Sequence, residues 1–489
     1  MIGTRGREVC PADLRSAAQA LRKSGARVQF AYAWTEPAGV PEVRYISSIP
    51  DQHEFEMWRV AGSRALPSLT PILPLLGWYE REMMDLHGLT FEGHPEPYPL
   101  VLRPSDGTQL NGNGLNGNGP TNGRPHLPDI DAADVQHLPF GPIRADVLES
   151  AEFTFLYVGE HIIHYHPRLF FKHRGMETCF EGFDPVRGAI VAERVSAVGS
   201  LAHVLAYCEA IERAAECDVP PRAKALRVLL AELERLYNHL HYLGHLCHTT
   251  TLKVGEAQGK LLEERAKQLN AKLTGSRFLR GLLVPGGLRR DLDPGKWFGD
   301  ALEKLREDYV AYIDRLEASE SHLDRLITTG VLSERVAFDQ GATGPVERAS
   351  GLDRDLRRDH PYAFYADLPL TVPTFKEGDA YARQRVRMAE IEASFVLCQR
   401  ILLLLEAGPV RATCRIAPST EGLGWSEGPR GSLFYAVHIG ADGRLARVKI
   451  KSPSFSNWRA FPFTVHDSNM MDYAINEASF GLTVAGCDR

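Results

Sequence analysis

The sequence predicts an α+β protein in which a small α/β domain is followed by a large, mainly helical bundle domain with peripheral β-structure. Its 489 residues exceed the roughly 100–200 expected of one domain, which indicates two cores or one large core with an appendage. Short alternating runs come first, and helical periodicity takes over from about residue 190. Between them, residues 107–124 are rich in Asn and Gly and offer almost nothing to bury, which predicts a flexible linker.

The first domain is assigned to residues 1–105 and the linker to residues 106–127. Residues 28–36 (VQFAYAWTE) and 43–49 (VRYISSI) alternate with a period of two, which predicts two strands. An apolar segment and a charged, helix-like stretch follow them. Strands and a helix within about a hundred residues indicate a small α/β unit.

The second domain is assigned to residues 128–489 and has a predicted strand at 153–159 near its start. In residues 222–247 leucines recur at steps of three and four, so one long helix presents an apolar stripe to a core. Similar periodicity predicts further helices at 194–216, 257–273, 297–327 and 379–407. Two alternating runs, 433–440 and 444–451, flank the turn residues ADG and predict a β-hairpin.

Composition excludes several classes of function. A formal net charge of −6, from 56 basic and 62 acidic side chains without a long Lys/Arg block, disfavours nucleic-acid binding. No run of about 18 apolar residues occurs, and the first residues lack the order of a secretory signal, so we expect neither a membrane span nor export. Eight Cys without a C-x-x-C pair predict reduced, cytosolic thiols.

Four histidines crowd together in residues 159–177: His161, His164, His166 and His173. Their spacing fits no compact tetrahedral template, so no metal site is predicted, and we interpret the segment as a polar stretch that leads into a helix. Two charged segments, 347–362 and 427–435, contain Gly and Pro. That composition is consistent with two structures. Either its arginines are held rigidly and point into a site, or the segments are solvated loops.

Motifs along the chain resemble two subunit types of respiratory complex I. WYEREMMDLHGLTFEGHP (78–95) is similar to the motif of its 30-kDa-type subunit. Later motifs resemble its 49-kDa-type subunit, a homologue of the large subunit of membrane-bound nickel-iron hydrogenases: GEHI with KHRGME (159–177), ELERLYNHLHYLG (232–244), TGPVERASGLDRDLRRDHPY (343–362) and EGPRGSL (427–433). Both types in one chain most resemble the large subunit of formate-hydrogenlyase-type and hydrogenase-4-type complexes.

The cysteines that bind nickel and iron in the resembling hydrogenases are missing here. Two C-x-x-C pairs supply them in that family, since soft thiolates are needed to hold both metals. Alignment of the motifs puts Ser196 and Gly199 at the first pair and Thr483 and Gly486 at the second. We therefore predict no metal and no directly bound cofactor. Because these residues and Ala197 are small, we expect a remodelled cavity with room for a ligand.

The resemblance to complex I implies NAD and quinone binding in the complex, but the usual proton donors to the quinone are replaced as well. Arg144 and Leu148 stand at the two His positions of the family's quinone loop, and Ala197 stands at the Tyr position. A quinone pocket without those donors is left open as an alternative. The chain stops at Arg489, and we expect no trimming linked to metal insertion.

A proton or charge relay near this cavity is predicted to consist of Glu177, Asp355, Arg357 and Arg430. The resemblance assigns Glu177 to the hydrogenase proton-gate position, and a plain ion pair with Arg174 is the alternative. It places Arg430 over the hydrogenase active site, where Arg430 could hold an anionic or carbonyl ligand or pair with Glu427. Asp355 and Arg357 are predicted to form a buried ionic network.

The resemblance also places a small iron-sulfur subunit against the helical domain. The residues at positions that face the partner's cluster in the family are His173, Arg174, Asn238 and His239. Basic groups near a cluster stabilise its reduced, more negative form. We expect the partner, and not this chain, to carry the iron-sulfur cluster.

These inferences give one leading function and three alternatives. The leading one is an electron-transfer and coupling subunit of a complex-I-like, hydrogenase-4-like oxidoreductase, peripheral on the cytoplasmic face of the membrane and docked to an iron-sulfur subunit and an ion-pumping membrane arm. A non-catalytic scaffold is the second, and it should fill the remodelled cavity with bulky side chains. The others are a quinone-reducing subunit and a genuine hydrogenase with ligands displaced to Cys179 or Cys487.

Overall fold

A computed structural model describes residues 4–35, 39, 41–101, 134–144 and 149–489. The predicted linker at 106–127 and Leu148 lie outside the described residues. Within the described part of the chain, no helix is both long and apolar enough to cross a lipid bilayer.

The N-terminal part, residues 4–101, is built on a four-stranded sheet. Its elements are β1 (Thr4–Glu8), α1 (Leu14–Lys23), β2 (Arg27–Trp34), β3 (Glu42–Ser48), β4 (Phe55–Val60), β5 (Ala65–Pro67), α2 (Gly77–His87) and β6 (Thr90–Glu92). The sheet order is β1-β4-β3-β2, with β1 parallel to β4 and the other neighbours antiparallel. The strands predicted at 28–36 and 43–49 are confirmed as β2 and β3.

The large part, residues 134–489, combines long helices with two three-stranded antiparallel sheets and one short antiparallel strand pair. Its elements are β7 (Gln136–Phe140), β8 (Glu152–Val158), β9 (His161–Arg168), α3 (Gly188–Ala192), α4 (Ser200–Ala214), α5 (Pro221–Thr249), α6 (Lys253–Thr274), β10 (Leu283–Val284), β11 (Gly287–Leu288), α7 (Gly295–Glu317), α8 (Glu320–Leu326), α9 (Glu334–Gln340), α10 (Pro345–Ala349), α11 (Leu356–Asp359), α12 (Ala380–Leu404), β12 (Glu421–Gly428), β13 (Gly431–Ile439), β14 (Leu445–Lys451), α13 (Pro453–Ala460), α14 (Tyr473–Phe480) and α15 (Val484–Asp488). The two sheets are β7-β8-β9 and β12-β13-β14, and the short pair is β10-β11.

The long helices and the hairpin follow the sequence pattern closely. The helices predicted at 222–247, 257–273 and 379–407 are confirmed as α5, α6 and α12, and the predicted hairpin as β13 and β14. The predicted helix at 297–327 is interrupted at Ser319, where ψ is 88°, and so forms α7 and α8. The one predicted at 194–216 begins only at Ser200, because a 3-10 turn precedes it.

Glycines allow close backbone packing between neighbouring elements of the large part. A Cβ added at Gly259 of α6 would lie 2.6 Å from Gly244 Cα of α5, so the two helices touch without an intervening side chain. A Cβ at Gly424 of β12 would overlap the carbonyl oxygen of Ala206, so β12 lies directly on α4. The end of β12 is thereby held against the helical core.

One continuous apolar cluster joins the N-terminal part to the large part. Phe30 and Phe55 of the N-terminal sheet each have ring centroids 5.4 Å from that of Phe434 on β13. Aromatic pairs at this distance add to the stabilisation from buried area. The two parts therefore share a core instead of forming two separate ones.

Two sequence-based expectations are wrong. The histidine-rich segment does not lead into a helix but forms β9, because Ile162 and Tyr165 are buried while the strand pairs with β8. The Cys are not all reduced, since Cys217 and Cys414 form a disulfide with Cα atoms 5.3 Å apart. These two residues are separated by 197 positions, so only the tertiary fold brings them together.

Candidate functional site

The large part encloses a group of buried charged side chains, which we call the ionic core: Glu232, Arg235, His239, Arg348, Asp355, Arg357, Glu390 and Glu427. None of them is more than 3 % exposed. They come from α5, α10, the N-cap and first turn of α11, α12 and β12. Tertiary folding therefore assembles the group from five separate elements.

Arg348 contacts three carboxylates of the ionic core. Its Nη2 lies 2.6 Å from Glu390 Oε1, and its Nη1 lies 3.2 Å from Glu427 Oε1 and 3.4 Å from Asp355 Oδ2. Arg357 forms two hydrogen bonds to the carboxylate of Asp355, at 2.7 and 3.0 Å. The predicted buried ion pair of Asp355 and Arg357 is thus confirmed, and multiple hydrogen bonds offset the cost of burying it.

Helix α5 extends the ionic core along one of its faces. Arg235 lies 3.2 Å from Glu390 Oε2 and 3.3 Å from Glu232 Oε2. His239, one turn further on, has its Nε2 2.8 Å from Glu390 Oε2. Glu232 also accepts a hydrogen bond from the hydroxyl of Tyr365 at 2.5 Å.

The ionic core contains four carboxylates but three guanidiniums. Burial lowers the pKa of His239 to about 4, so His239 adds no positive charge at neutral pH. Burial and the neighbouring Asp355 raise the pKa of Glu427 to about 8. The pKa of Glu390 stays well below its usual value because Arg348 and His239 outweigh its burial. The charge of the core is therefore balanced when Glu427 is protonated.

A second group of charged side chains, the tail cluster, consists of the buried Glu82, Glu177, Lys449 and Arg489 and the half-buried Arg447. Glu82, on α2 of the N-terminal part, lies 2.8 Å from Lys449 Nζ and 2.6 Å from Arg489 Nη2. Glu177 lies 3.0 Å from Lys449 Nζ and 3.4 Å from each of the two arginines. Three cations thus surround two carboxylates, and the cluster links α2 to β14 and to the residue after α15.

The tail cluster keeps Glu177 ionised. Burial opposes ionisation, but Lys449 and the two arginines outweigh it and lower the pKa of Glu177 to about 2. A carboxylate held in its ionised form at neutral pH is poorly suited to carry a proton, so this geometry does not favour the predicted relay role. The alternative ion pair with Arg174 is wrong, because the guanidinium of Arg174 donates to backbone carbonyls.

The two segments at the positions of the missing thiolates meet in space. A Cβ added at Gly486 would lie 2.5 Å from Thr483 Oγ1 and 3.5 Å from Ser196 Oγ. Arg174 connects the segments, since its Nη2 donates to a carbonyl before Ser196 and to another beside Gly486. The pairing inferred from the motifs is therefore spatially consistent.

The space beside Gly486 is restricted on one side. A methyl group there would already overlap Thr483, whose hydroxyl lies 3.0 Å from that of Ser454. Hydroxyl groups that bond to each other thus occupy this side, and the cavity expected from the small residues stays a prediction. Gly199 is half-buried and Ala197 is exposed, so these two positions lie near the surface of the chain.

The donors at these positions do not fit a nickel-iron centre. Hydroxyl groups and glycines lack the soft thiolates that hold nickel and iron. Cys179 is exposed, whereas Cys487 is fully buried and burial raises its pKa, which disfavours the thiolate. Among the residues with described coordinates, no three His, Cys, Asp or Glu side chains are arranged to hold a metal ion.

Arg430 is held by uncharged groups close to the missing-thiolate positions. Its Nε donates to the carbonyl of Gly481 at 2.7 Å and its Nη1 to Asn238 Oδ1 at 2.9 Å. The alternative pairing with Glu427 is wrong, because that carboxylate turns into the ionic core. Burial and the nearby Arg387 lower the pKa of Arg430 to about 10. A half-buried guanidinium with neutral partners is suited to bind an anion or a carbonyl.

The residues predicted to face a partner's cluster divide into two groups. His173 is half-buried and Arg174 is exposed, so both can be reached from outside the chain. Asn238 is buried and orients Arg430. His239 is 1 % exposed and turns toward Glu390, so the expectation that it faces a partner is wrong. Its position on the long apolar stripe of α5 explains why it points inward.

Arg144, in the loop that resembles the family's quinone loop, is already paired with other side chains. Both terminal nitrogens of Arg144 lie 3.3 Å from the carboxylate of Glu477, and its guanidinium lies 4.7 Å from the ring centroid of Phe153. The exposed Ala197 offers no hydrogen bond from its side chain. At these two positions the chain thus supplies no free proton donor for a quinone.

Sequence reasoning missed Glu232, Arg235, Arg348 and Glu390 of the ionic core and Glu82 of the tail cluster. One signal was available: positions 232, 235 and 239 are spaced by three and four residues, as are the leucines of α5. Charged residues that repeat alongside an apolar stripe predict charges at the edge of the core. The partners on α10 and α12 carry no comparable signal.

Family comparisons cover most of the chain. The sequence model of the respiratory-chain NADH dehydrogenase 30 Kd subunit matches residues 8–111, and that of the 49 Kd subunit matches residues 261–420 and 413–489. The model of nickel-dependent hydrogenase matches residues 174–274. The matches to the two subunit types follow one another along the chain, as the motifs predicted.

Individual relatives agree with these matches. Formate hydrogenlyase subunit 5 of Escherichia coli (strain K12) is 31% identical over 426 residues, which cover 83% of this chain and 74% of the relative. Hydrogenase-4 component G of the same organism is also 31% identical, with coverage of 84% and 74%. The C/D subunit of the NADH-quinone oxidoreductase of Gluconacetobacter diazotrophicus is 29% identical over 490 residues, covering 87% and 79%.

A solved structure shares its fold with most of the chain. A chain from the membrane-bound sulfane sulfur reductase, an archaeal respiratory membrane complex, aligns with a TM-score of 0.68 and 25% identity, over 73% of this chain and 99% of its own length. The fold, the fused subunit types and the relatives agree with one another. The chain belongs to the family of complex-I-like and hydrogenase-4-like oxidoreductase subunits in which a 30-kDa-type and a 49-kDa-type unit are joined.

Proposed function

We propose that the chain is the electron-transfer and coupling subunit of a membrane-attached, hydrogenase-4-like oxidoreductase and that it works without a nickel-iron centre. The observation that carries the proposal is that the two former ligand pairs meet around Gly486 without a thiolate among them. Loss of all four soft ligands removes the means of holding both metals. The surrounding helices, sheet and buried charges are nevertheless retained.

An iron-sulfur subunit would dock at the surface that contains His173 and Arg174, and an ion-pumping arm would hold the complex at the cytoplasmic face of the membrane. Arg174 is exposed, and its backbone lies within hydrogen-bond distance of Arg489. Positive charge here would stabilise the added negative charge of a reduced cluster. The similar structure from an archaeal respiratory membrane complex is consistent with such an assembly.

The electron acceptor would bind close to Arg430, as a quinone or another molecule with an anionic or carbonyl group. Arg430 and Asn238 form a preorganised pair, and neither uses a carboxylate partner. The second candidate is a non-catalytic scaffold, and the hydroxyl groups that restrict the space on one side of Gly486 support it. The two candidates differ in whether substitution of Arg430 affects turnover.

The test uses the intact membrane complex, purified with this chain present. We expect nickel far below one atom per complex, and quinone-linked turnover that Arg430→Ala abolishes and Arg411→Ala, at an exposed position, leaves unchanged. Stoichiometric nickel with hydrogen evolution would refute the proposal. A complex that needs this chain for assembly but shows neither activity would establish the scaffold.

The docking surface is tested by co-purification of the iron-sulfur subunit. Arg174→Glu places a negative charge opposite the reduced cluster, so we expect it to weaken the association or lower the cluster's reduction potential. Arg187→Glu makes the same charge change at another exposed position and serves as the control. Equal effects of the two substitutions would rule out a specific surface at Arg174.

A further inference from the structure

A cleft of about 570 Å³ lies between the N-terminal part and the large part. Gln29 and Ser48 of the N-terminal sheet line one side of it, and the exposed Asp51 lies at its rim. Two members of the ionic core, Asp355 and Glu427, also line it and are almost fully buried. The cleft therefore leads from the surface to the interior charges.

We propose that this cleft is the route by which the carboxyl group of Glu427 exchanges a proton with solvent, so that the ionic core gains and loses charge at the joint between the two parts. The step is a simple ionisation: the O–H bond of the acid breaks, the proton leaves through the cleft, and the carboxylate remains beside Arg348.

Glu427 differs from the other acids of the ionic core in how it is held. Among the described side chains, its carboxyl group pairs with Arg348 alone, at 3.2 Å, whereas Asp355 receives hydrogen bonds from Arg357 and also contacts Arg348. The backbone of Glu427 is fixed separately, through its N–H to the Tyr362 hydroxyl and its carbonyl to Arg235. Its carboxyl group can therefore change its charge without loss of the strand geometry.

The charged and titratable groups around Glu427 are Arg348, Glu347, Asp355, Arg357, Tyr362 and Lys451. The two acids disfavour a further negative charge, and the arginines are already shared with other carboxylates. Burial and Arg27 lower the pKa of Lys451 to about 7. The ammonium of Lys451 donates to the carbonyl of Ser432 at 2.7 Å and forms no ion pair with Glu427 among the described side chains.

A role for this proton in coupling rests on the proposed function, but the exchange itself is measured without turnover. Infrared difference spectra of the full-length chain, recorded on transfer from H₂O to D₂O, show the carbonyl stretch of each protonated carboxylic acid. We expect Glu427→Gln to remove one such band, which otherwise disappears as pH rises through about 8. If that band survives in Glu427→Gln, the assignment fails whatever the activity of the complex.

Access through the cleft is tested with the native Glu427 in place. We expect Ser48→Trp to slow the deuterium shift of the Glu427 band, and Gln268→Trp, on the exposed surface of α6, to leave it unchanged. Glu234 is the matched internal control, because it is buried with a pKa raised to about 7 by burial but does not line the cleft. An unchanged exchange rate in Ser48→Trp, or equal slowing of the Glu234 band, would show that the Glu427 proton does not exchange through the cleft.

Discussion

The ionic core and the tail cluster are both largely buried, yet the pKa values of Glu427 in the first and Glu177 in the second shift in opposite directions. In the tail cluster three cations surround two carboxylates, and the pKa of Glu177 falls to about 2. In the ionic core only three guanidiniums face four carboxylates, and the pKa of Glu427 rises to about 8. Burial raises the pKa in both places, so the ratio of cations to carboxylates decides which acid stays ionised.

The difference separates a fixed contact from a titratable one at the same joint. The tail cluster holds α2 of the N-terminal part against β14 through ion pairs of Glu82 with Lys449 and Arg489. The ionic core meets the N-terminal part at the cleft, where a neutral acid faces the opening. The coupling role proposed above needs both a rigid frame and a group whose charge can change. We infer that the tail cluster supplies the first and the ionic core the second.

Removal of Arg348 should have the largest effect. Arg348→Met leaves three carboxylates without a shared cation, so we expect a loss of about 3–5 kcal/mol in the free energy of unfolding. Urea denaturation at pH 7 measures it. Arg358→Met is the control on the neighbouring helix: its two ion pairs are partly exposed, and we expect a loss of at most about 1 kcal/mol. Equal losses would show that the ionic core is not specially dependent on its cations.

Neutralisation of the tail cluster should have an intermediate effect with a defined pH dependence. Because the folded protein lowers the pKa of Glu177, its ionised form stabilises the fold above the usual value of 4.5, and this contribution is lost as the pH falls toward 2. We expect Glu177→Gln to cost about 2 kcal/mol at pH 7 and progressively less below pH 4.5. Denaturation curves at several pH values measure the difference.

The half-exposed Glu181 provides the control for that measurement. It pairs with Arg447 of the same cluster at 3.3 Å, but its side chain is 43% exposed. Glu181→Gln should therefore change stability by less than about 1 kcal/mol at any pH. A cost of Glu177→Gln that increases on acidification would contradict the assignment of Glu177 as an ionised group.

The helices and strands could be predicted from the sequence, whereas most of the buried charge pairs could not. The leucine spacing predicted α5, and the alternation predicted β2, β3 and the β13–β14 hairpin, because these patterns depend on neighbours along the chain. The motifs predicted the Asp355–Arg357 pair and the meeting of Ser196 with Gly486. Arg348 and Glu390 were missed, since their partners lie on other elements and a charge count needs the complete set.

The same limit applies to the site. Small residues at 483 and 486 suggested room, but the hydroxyl of Ser454, which lies on α13, occupies one side of that space. The alternative to a proton-gate role paired Glu177 with its near neighbour in the sequence, Arg174, but the partners of Glu177 are on β14 and after α15. Residues that are remote in sequence thus determine both the space and the charge of the site.

Neutralisation of Glu427 should have the smallest effect in acid, and its pH dependence should be opposite to that of Glu177. Its pKa is raised in the folded protein, so the stabilisation that its protonated form provides is complete below 4.5 and is lost as pH rises through about 8. Gln resembles the protonated acid and does not titrate. We therefore expect Glu427→Gln to match the wild type within about 1 kcal/mol at pH 5 and to be more stable than the wild type by at least about 1 kcal/mol at pH 9, where the folded wild type holds an ionised buried acid. Denaturation at the two pH values measures this, and a variant less stable than the wild type at pH 9 would show that the ionic core requires an ionised Glu427, as the tail cluster requires Glu177.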